Sequence, residues 1–205
     1  MPRTRSPEKR HTISSAANEL FLVEGFAGTS MESVAARARV SKPTLYNHFA
    51  DKQELFAAIV RELVCGLTEP LCEQLLALPD GEAEQHLRGV AELLLAAAMQ
   101  PRRVQLRRLV ISEAARFPEL AREYDELGPQ RTTAAVARTF KRLANREQLR
   151  LAHPRRAAAQ FISLVLAGPL ERVMLGGEGR PPKRKELRRH ADQATRLFVS
   201  AYGAR

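Results

Sequence analysis

Over the N-terminal third of the chain the apolar positions recur at helical spacing. Ile13, Ala16, Ala17, Leu20 and Phe21 follow one another at intervals of three and four, one stripe of an amphipathic helix. Ser6-Pro7-Glu8 offers its start, with a hydroxyl cap, a proline in the first turn and an acid at the positive end of the dipole. Gly25 offers its stop. Thr29-Ser30-Met31-Glu32 has the spacing of a capping box and opens a short helix carrying Val34, Ala35 and Ala38. After Arg39-Val40, Ser41 caps a third helix with Pro43 in its first turn, where a missing N–H costs little. Leu45 and Phe49 face inward from it. Asp51-Lys52-Gln53-Glu54 repeats the capping logic ahead of a fourth stripe, Leu55, Phe56, Ile59, Val60 and Leu63.

Beyond Cys65 the punctuation is sparser. Pro70 predicts a kink or break in the fourth helix, and Pro79-Asp80-Gly81 a turn. Helices are expected over Glu82–Gln100, from Pro101 to about Phe117, from Pro118 to a break at Gly128-Pro129, and over Gln130–Gln148. Another runs from His153-Pro154 to about Leu175. A loop over Gly176–Pro182 precedes the last, Lys183–Tyr202. Period-2 alternation is absent and no internal repeat is found. The pattern predicts an all-α fold: an N-terminal three-helix helix-turn-helix head and a C-terminal antiparallel helical bundle, about nine helices.

Composition agrees. Hydrophobic residues make up 44% of the chain but aromatics only 5%, with no Trp, so the core is built of Leu, Ala and Val, which suit helices. The net charge of +10 attracts polyanions, although a solvated surface rich in Arg is an equal reading of charge alone. Cys65 and Cys72 stand two turns apart on one helix face, roughly 10 Å along the axis, too far to bridge. No apolar core of a signal peptide follows Met1–Arg5, and the stretches Val90–Met99 and Phe161–Leu170 are too short to span a bilayer. These features point to a soluble, cytoplasmic protein.

The chemistry concentrates in Ser30–Phe49, SMESVAARARVSKPTLYNHF. Two short helices joined by a tight turn form a device in which the first braces on the phosphate backbone and the second lays its leading residues in the major groove. With Leu45 and Phe49 turned inward, Lys42, Thr44, Tyr46, Asn47 and His48 form the outward polar set. Taken singly, each has a blander reading, Tyr46 and Phe49 as core aromatics and Lys42 as a solvated charge. The whole constellation does not.

The run VSKPTLYNHFADKQELF closely resembles the helix-turn-helix core of the TetR family of transcriptional regulators, and the spacing from the first helix through Gly25-Phe26 to Thr29-Ser30 matches as well. The resemblance implies a DNA-binding domain over residues 8–66, with the motif at 30–49, and a ligand-binding and dimerisation domain over 67–205. It implies base-edge or phosphate contacts from Lys42 and Thr44, phosphate contacts from Tyr46 and His48, either role for Asn47, and backbone contacts from Thr29 or Ser30 and from Lys52. Arg3, Arg5 and Arg10 are arm residues that would add phosphate or minor-groove contacts. The family has Gly at the turn position that Arg39 occupies; a left-handed Arg39 costs on the order of 1–2 kcal/mol.

The resemblance also implies a homodimer and a small-molecule effector. The helix holding Phe161, Val165, Leu170 and Met174 is apolar nearly all round, and the last helix carries a seam through Leu187, Ala194 and Phe198. A two-fold four-helix interface is the expectation, with internal core as the alternative. Leu109–Arg131 resembles AcrR-like members, and Arg103, Arg107, Glu113 and Tyr124 are candidate ligand contacts. The basic run Lys183-Arg184-Lys185 with Arg188 and Arg189 reads as a solvated face. No cofactor or metal is implied. Two other function classes fit the sequence less well. An enzyme is disfavoured because no nucleophile elbow, His-Glu-x-x-His or Walker loop occurs and Gly176–Gly179 follows no strand. A membrane-surface protein leaves the capped short helices unexplained. The expectation is a regulator, most often a repressor, that grips a near-palindromic operator as a dimer and is released by a small-molecule inducer.

Overall fold

The structure, a computed structural model, describes residues 7–176 and 182–204. The cap expected at Ser6, the arm residues Arg3 and Arg5, and most of the Gly176–Pro182 loop lie outside the described residues. The others form α1 (Pro7–Gly28), α2 (Met31–Arg37), α3 (Lys42–His48), α4 (Lys52–Leu76), α5 (Ala83–Ala98), α6 (Pro101–Glu113), α7 (Pro118–Asp125), α8 (Arg131–Asn145), α9 (Pro154–Leu175) and α10 (Arg184–Tyr202). A π-turn, Glu126–Gln130, joins α7 to α8 without interruption, so the described residues make nine rods, one of them, α1, kinked.

Besides α6, which ends at Glu113 ahead of the expected Phe117, four places depart from expectation, each for a local reason. Gly25 does break α1, at φ 72° and ψ −179°, but the chain resumes a helical turn to Gly28. Pro70 does not break α4, which runs on to Leu76. Gly128-Pro129 is absorbed into the π-turn, where Thr132 and Thr133 donate their hydroxyls to the Gly128 and Pro129 carbonyls at 3.1 and 2.9 Å. Helix α8 stops at Asn145 because Glu147 takes a left-handed φ of 57°.

The chain divides into two compact units. One comprises the residues through Cys65 together with Gln105–Tyr124; the other comprises Gly66–Val104 and the residues from Asp125 onward. No periodicity announces that a segment from mid-chain belongs with the N-terminal helices. In the first unit the whole expected stripe of α1 is buried, as are Val34, Ala35, Leu45, Phe49, Leu55, Phe56, Ile59 and Val60. Phe26 meets Phe56 and Phe117 edge-on, with ring centres 5.0 and 4.9 Å apart, so the segment after α6 contributes an aromatic side chain to this core.

In the second unit α5 packs on α9 and α10, and α8 on α9. Phe140, Phe161 and Phe198 form a triangle with centres 4.9–5.6 Å apart. Tyr202 stacks on Phe198 at 4.6 Å, its carbonyl accepts from Arg150 N–H at 2.8 Å, and its hydroxyl bonds Gln160 at 2.6 Å. These contacts pin the end of α10. Helix α9 proves long and apolar enough, by length and composition, to cross a bilayer, which the shorter Phe161–Leu170 stretch had not suggested. Its inner side is committed to the core, with Phe161 and Val165 fully buried. Both cysteines are free thiols and half-buried.

Candidate nucleic-acid interface

The start of α2 is fixed by serines. Ser30 caps the helix, its hydroxyl accepting from Ser33 N–H at 2.9 Å, while the Ser33 hydroxyl accepts from Ser30 N–H at 3.0 Å. The capping box therefore lies one residue later than Thr29…Glu32. Thr29 is 2% exposed and donates its hydroxyl to the Gly25 carbonyl at 2.8 Å. Expected at the DNA backbone, Thr29 here turns its side chain inward and closes the turn made by Gly25. Glu32, freed from capping, pairs instead with Lys42 at 3.0 Å, and that ammonium holds its carboxyl below the usual range.

The turn to α3 is a Schellman motif: Val40 N–H donates to the Ala35 carbonyl at 3.0 Å and Arg39 N–H to the Ala36 carbonyl at 3.2 Å. Arg39 takes the left-handed place at φ 53°, where glycine is the unstrained residue. Ser41 then caps α3 by accepting from Thr44 N–H at 3.3 Å, and Pro43 lies in the first turn. Leu45 and Phe49 are buried, which fixes the roll of the helix. The opposite side presents Lys42, Asn47 and Tyr46, the last 47% exposed, with Thr44 half-buried between them. His48 does not join this set. It is 5% exposed, because it stands three residues from Leu45 and shares its inward side. Expected as a phosphate contact, it is placed here on the inward side of α3.

At the flank, Asp51 caps α4 by accepting from Glu54 N–H at 2.8 Å, and Glu54 accepts from Ala50 N–H at 2.7 Å. Lys52 is half-buried, with its ammonium 4.3 Å from the centre of the Phe26 ring and 3.5 Å from the Ala27 carbonyl. Burial, then the Arg116 charge, push its pKa down. Arg116 itself stands 4.6 Å from the same ring and was not foreseen as part of this region. Arg10, exposed on α1, lies over the Phe49 ring at 4.7 Å.

An exposed, capped seven-residue helix set behind a second short helix has counterparts among known proteins. Residues 13–59 match the family described as "Bacterial regulatory proteins, tetR family", and residues 85–204 match "AefR-like transcriptional repressor, C-terminal domain". The chain belongs to the TetR family. A TetR-family transcriptional regulator of known structure from Mesorhizobium loti MAFF303099 is 35% identical, covers 98% of this chain and 100% of its own, and superposes with a TM-score of 0.90. The flavonoid-responsive regulator FrrA is 30% identical with a TM-score of 0.80, again over 98% of this chain and 100% of its own. The transcriptional activator FasR of Mycolicibacterium smegmatis is 36% identical over 85 residues, 42% of this chain and 38% of its own length. The chain thus matches only about two-fifths of the curated relatives' length. The family is one of DNA-binding transcriptional regulators, not of enzymes, and its members act as dimers with small-molecule ligands. The C-terminal match is AefR-like, where Leu109–Arg131 had suggested AcrR-like members.

In this TetR-family chain the expected interface residues separate into two groups. Phe161, Val165, Ala194 and Phe198 are at most 3% exposed and belong to the second unit's own core. Leu170, Met174 and Leu187 are half-buried. On α9 an all-round apolar circumference hides from the sequence which side faces in, and Phe161 and Val165 take the internal-core alternative. On α9 and α10 the exposed apolar positions include Leu164, Ala167, Gly168 and Leu175 of α9 with Leu197 and Ala201 of α10; Leu175 is 80% and Leu197 60% exposed. Of the candidate ligand residues, Arg103 lies in the second unit and donates to the Leu67 carbonyl. Arg107, Glu113 and Tyr124 lie in the first, where the Glu113 charge acts on Lys52. Lys183, Arg184, Lys185, Arg188 and Arg189 are all exposed.

Proposed function

We propose that the protein is a ligand-responsive repressor that binds a near-palindromic operator as a homodimer in the cytoplasm and is released by a small-molecule inducer. The observation that carries this reading is the front of α3: Lys42, Tyr46 and Asn47 stand outward on a short helix whose roll is fixed by buried Leu45 and Phe49. Such a helix seats polar atoms against base edges, while Ser30 and Lys52 at its flanks hold the backbone. A net charge of +10 supplies the long-range attraction.

The dimer forms through the outer faces of α9 and α10, where Leu164, Leu175, Leu197 and the small residues Ala167 and Gly168 leave an apolar surface without cover in one chain. Two heads then meet half-sites about 34–36 Å apart. The repressor sign rests on the C-terminal match, which is to a repressor domain. The effector is bound by the C-terminal body, and likeness to a flavonoid-responsive regulator makes planar polyphenols the first class to screen.

The test is an electrophoretic shift with the duplex upstream of the protein's own coding region. A complex with two chains per duplex, weakened steeply by salt and dissociated by a member of a flavonoid panel, is the expected result. If no duplex is retarded even at low ionic strength, the regulator reading fails.

A further inference from the structure

Two cations share one ring in the first unit, and only one of them has been given a task. The Lys52 ammonium and the Arg116 guanidinium lie 4.3 and 4.6 Å from the centre of Phe26. Arg116 comes from the turn between α6 and α7, far along the sequence from the helix-turn-helix, and is exposed although its guanidinium also lies 5.3 Å from the centre of the Phe117 ring. Among the described residues neither cation makes an ion pair within 4.0 Å. The acid in electrostatic reach of Lys52 is Glu113, which favours its charge, against burial and the repulsion of Arg116.

Like charges gathered in this way favour an anion between or beside them. The ring fixes where both stand. Lys52 also donates to the Ala27 carbonyl, three residues ahead of the Ser30 cap, so the pair lies at the flank of the motif. Arg116 is the better-formed partner for phosphate, since its planar fork is already held by the two phenyl rings and loses little freedom on contact.

We propose that Arg116 is a further DNA-backbone contact, which with Lys52 forms a two-cation seat for duplex phosphates at the edge of the head. This rests on the regulator reading above, and it extends the DNA-contacting surface to a segment that no helix-turn-helix pattern includes.

The experiment uses the full chain and the upstream duplex, with affinity followed against salt concentration for the wild type, R116Q, R116K and E113Q. Each phosphate contact contributes about 0.9 to the slope of log affinity against log salt, so R116Q flattens the slope by about 0.9 per head, roughly 1.8 for a dimer. R116K keeps most of the slope, and E113Q tightens binding at low salt. Thermal melting of each variant reports folding separately. An R116Q slope equal to that of the wild type overturns the proposal, including the case where affinity and melting temperature both fall, which marks a packing role alone. If R116Q does not fold, R116K and E113Q decide: a flattened slope in R116K, or no tightening in E113Q, overturns it equally. A wild type that retards no duplex sinks the regulator reading and this one together; a wild type that binds while R116Q keeps its slope sinks this one alone.

Discussion

The Lys42 ammonium stands 3.0 Å from the Glu32 carboxylate, so the leading cation of the recognition helix is paired with an acid from the first turn of α2. Both side chains are more than half exposed, and such a pair adds little to stability. Its effect falls on binding, because the carboxylate competes with phosphate for the ammonium. Glu32→Gln should tighten duplex binding at low salt, an effect that fades as salt rises, with an unchanged melting temperature. Binding that weakens in this variant would show that the acid itself makes a contact, for instance to a cytosine amine.

Tyr46 and His48 separate sharply, although both looked like outward polar residues. Tyr46→Phe removes a neutral hydroxyl that releases no counterion, so affinity should fall while the salt slope stays as it was. Lys42→Gln should flatten the slope by about 0.9 per head. His48→Ala acts elsewhere. Its ring is buried beneath α3, so the expected loss is in folding, at about 1–3 kcal/mol, and denaturant titration measures it. A His48→Ala protein with full stability and a flattened slope would return His48 to the phosphate-contacting set.

Acid sensitivity of the first unit should reflect Arg61 and Glu123. The guanidinium meets the carboxylate with two bonds, at 2.5 and 3.0 Å, tying α4 to α7 within that unit. Hydrogen bonding to Arg61 holds the Glu123 carboxyl below its ordinary value of 4.5, against a smaller opposing effect of burial. A lowered folded pKa gives stability that is complete above the unfolded value and lost as pH falls through the folded one. R61M should therefore melt below the wild type at pH 7, by no more than about 1 kcal/mol for so exposed a pair. That gap should close as pH drops below 4.5. A gap that persists in acid would assign the loss to packing of the Arg61 stem.

Helix stripes, caps and inward residues of the head were legible because each rests on local chemistry. Ser41, Asp51, Leu45 and Phe49 take the places their spacing demands. What escaped depended on partners distant in sequence or on equivalent local options. Thr29 and Ser30 both carry a hydroxyl that can cap, and only the Gly25 turn decides between them. Arg116 lies in no motif, and its place over Phe26 is set by tertiary packing of the α6–α7 turn. In α9 the apolar residues cover the whole circumference, so no period distinguishes Val165, fully buried, from Leu164, 36% exposed.

The two Schellman turns carry a common cost. Arg39 and Glu147 both hold the left-handed position, at φ 53° and 57°, and at α8 Gln148 N–H closes the motif on the Leu143 carbonyl at 3.0 Å. A Cβ in this region is strained by on the order of 1–2 kcal/mol, while glycine costs more chain entropy in the unfolded state, about 0.4–1 kcal/mol. Arg39→Gly and Glu147→Gly should each therefore stabilise the protein by a few tenths to 1 kcal/mol, read as a higher urea midpoint at constant m-value. Destabilisation by either would mean that its side chain has contacts outweighing the strain.

Dimerisation offers the sharpest contrast between neighbouring residues. Leu197 is 60% exposed and Phe198 3% exposed, so the two point to different environments although they are adjacent on α10. Phe198→Ala removes one corner of the Phe140–Phe161–Phe198 triangle and should cost about 3–5 kcal/mol of folding stability. Leu197→Glu, alone or with Leu164→Glu, leaves that core untouched and sets like charges face to face across a two-fold axis. Sedimentation should then report a folded monomer, and operator affinity should collapse to that of one head, because half-sites are no longer bound together. A variant that remains dimeric with normal operator binding would exclude this face of α9 and α10 as the subunit contact.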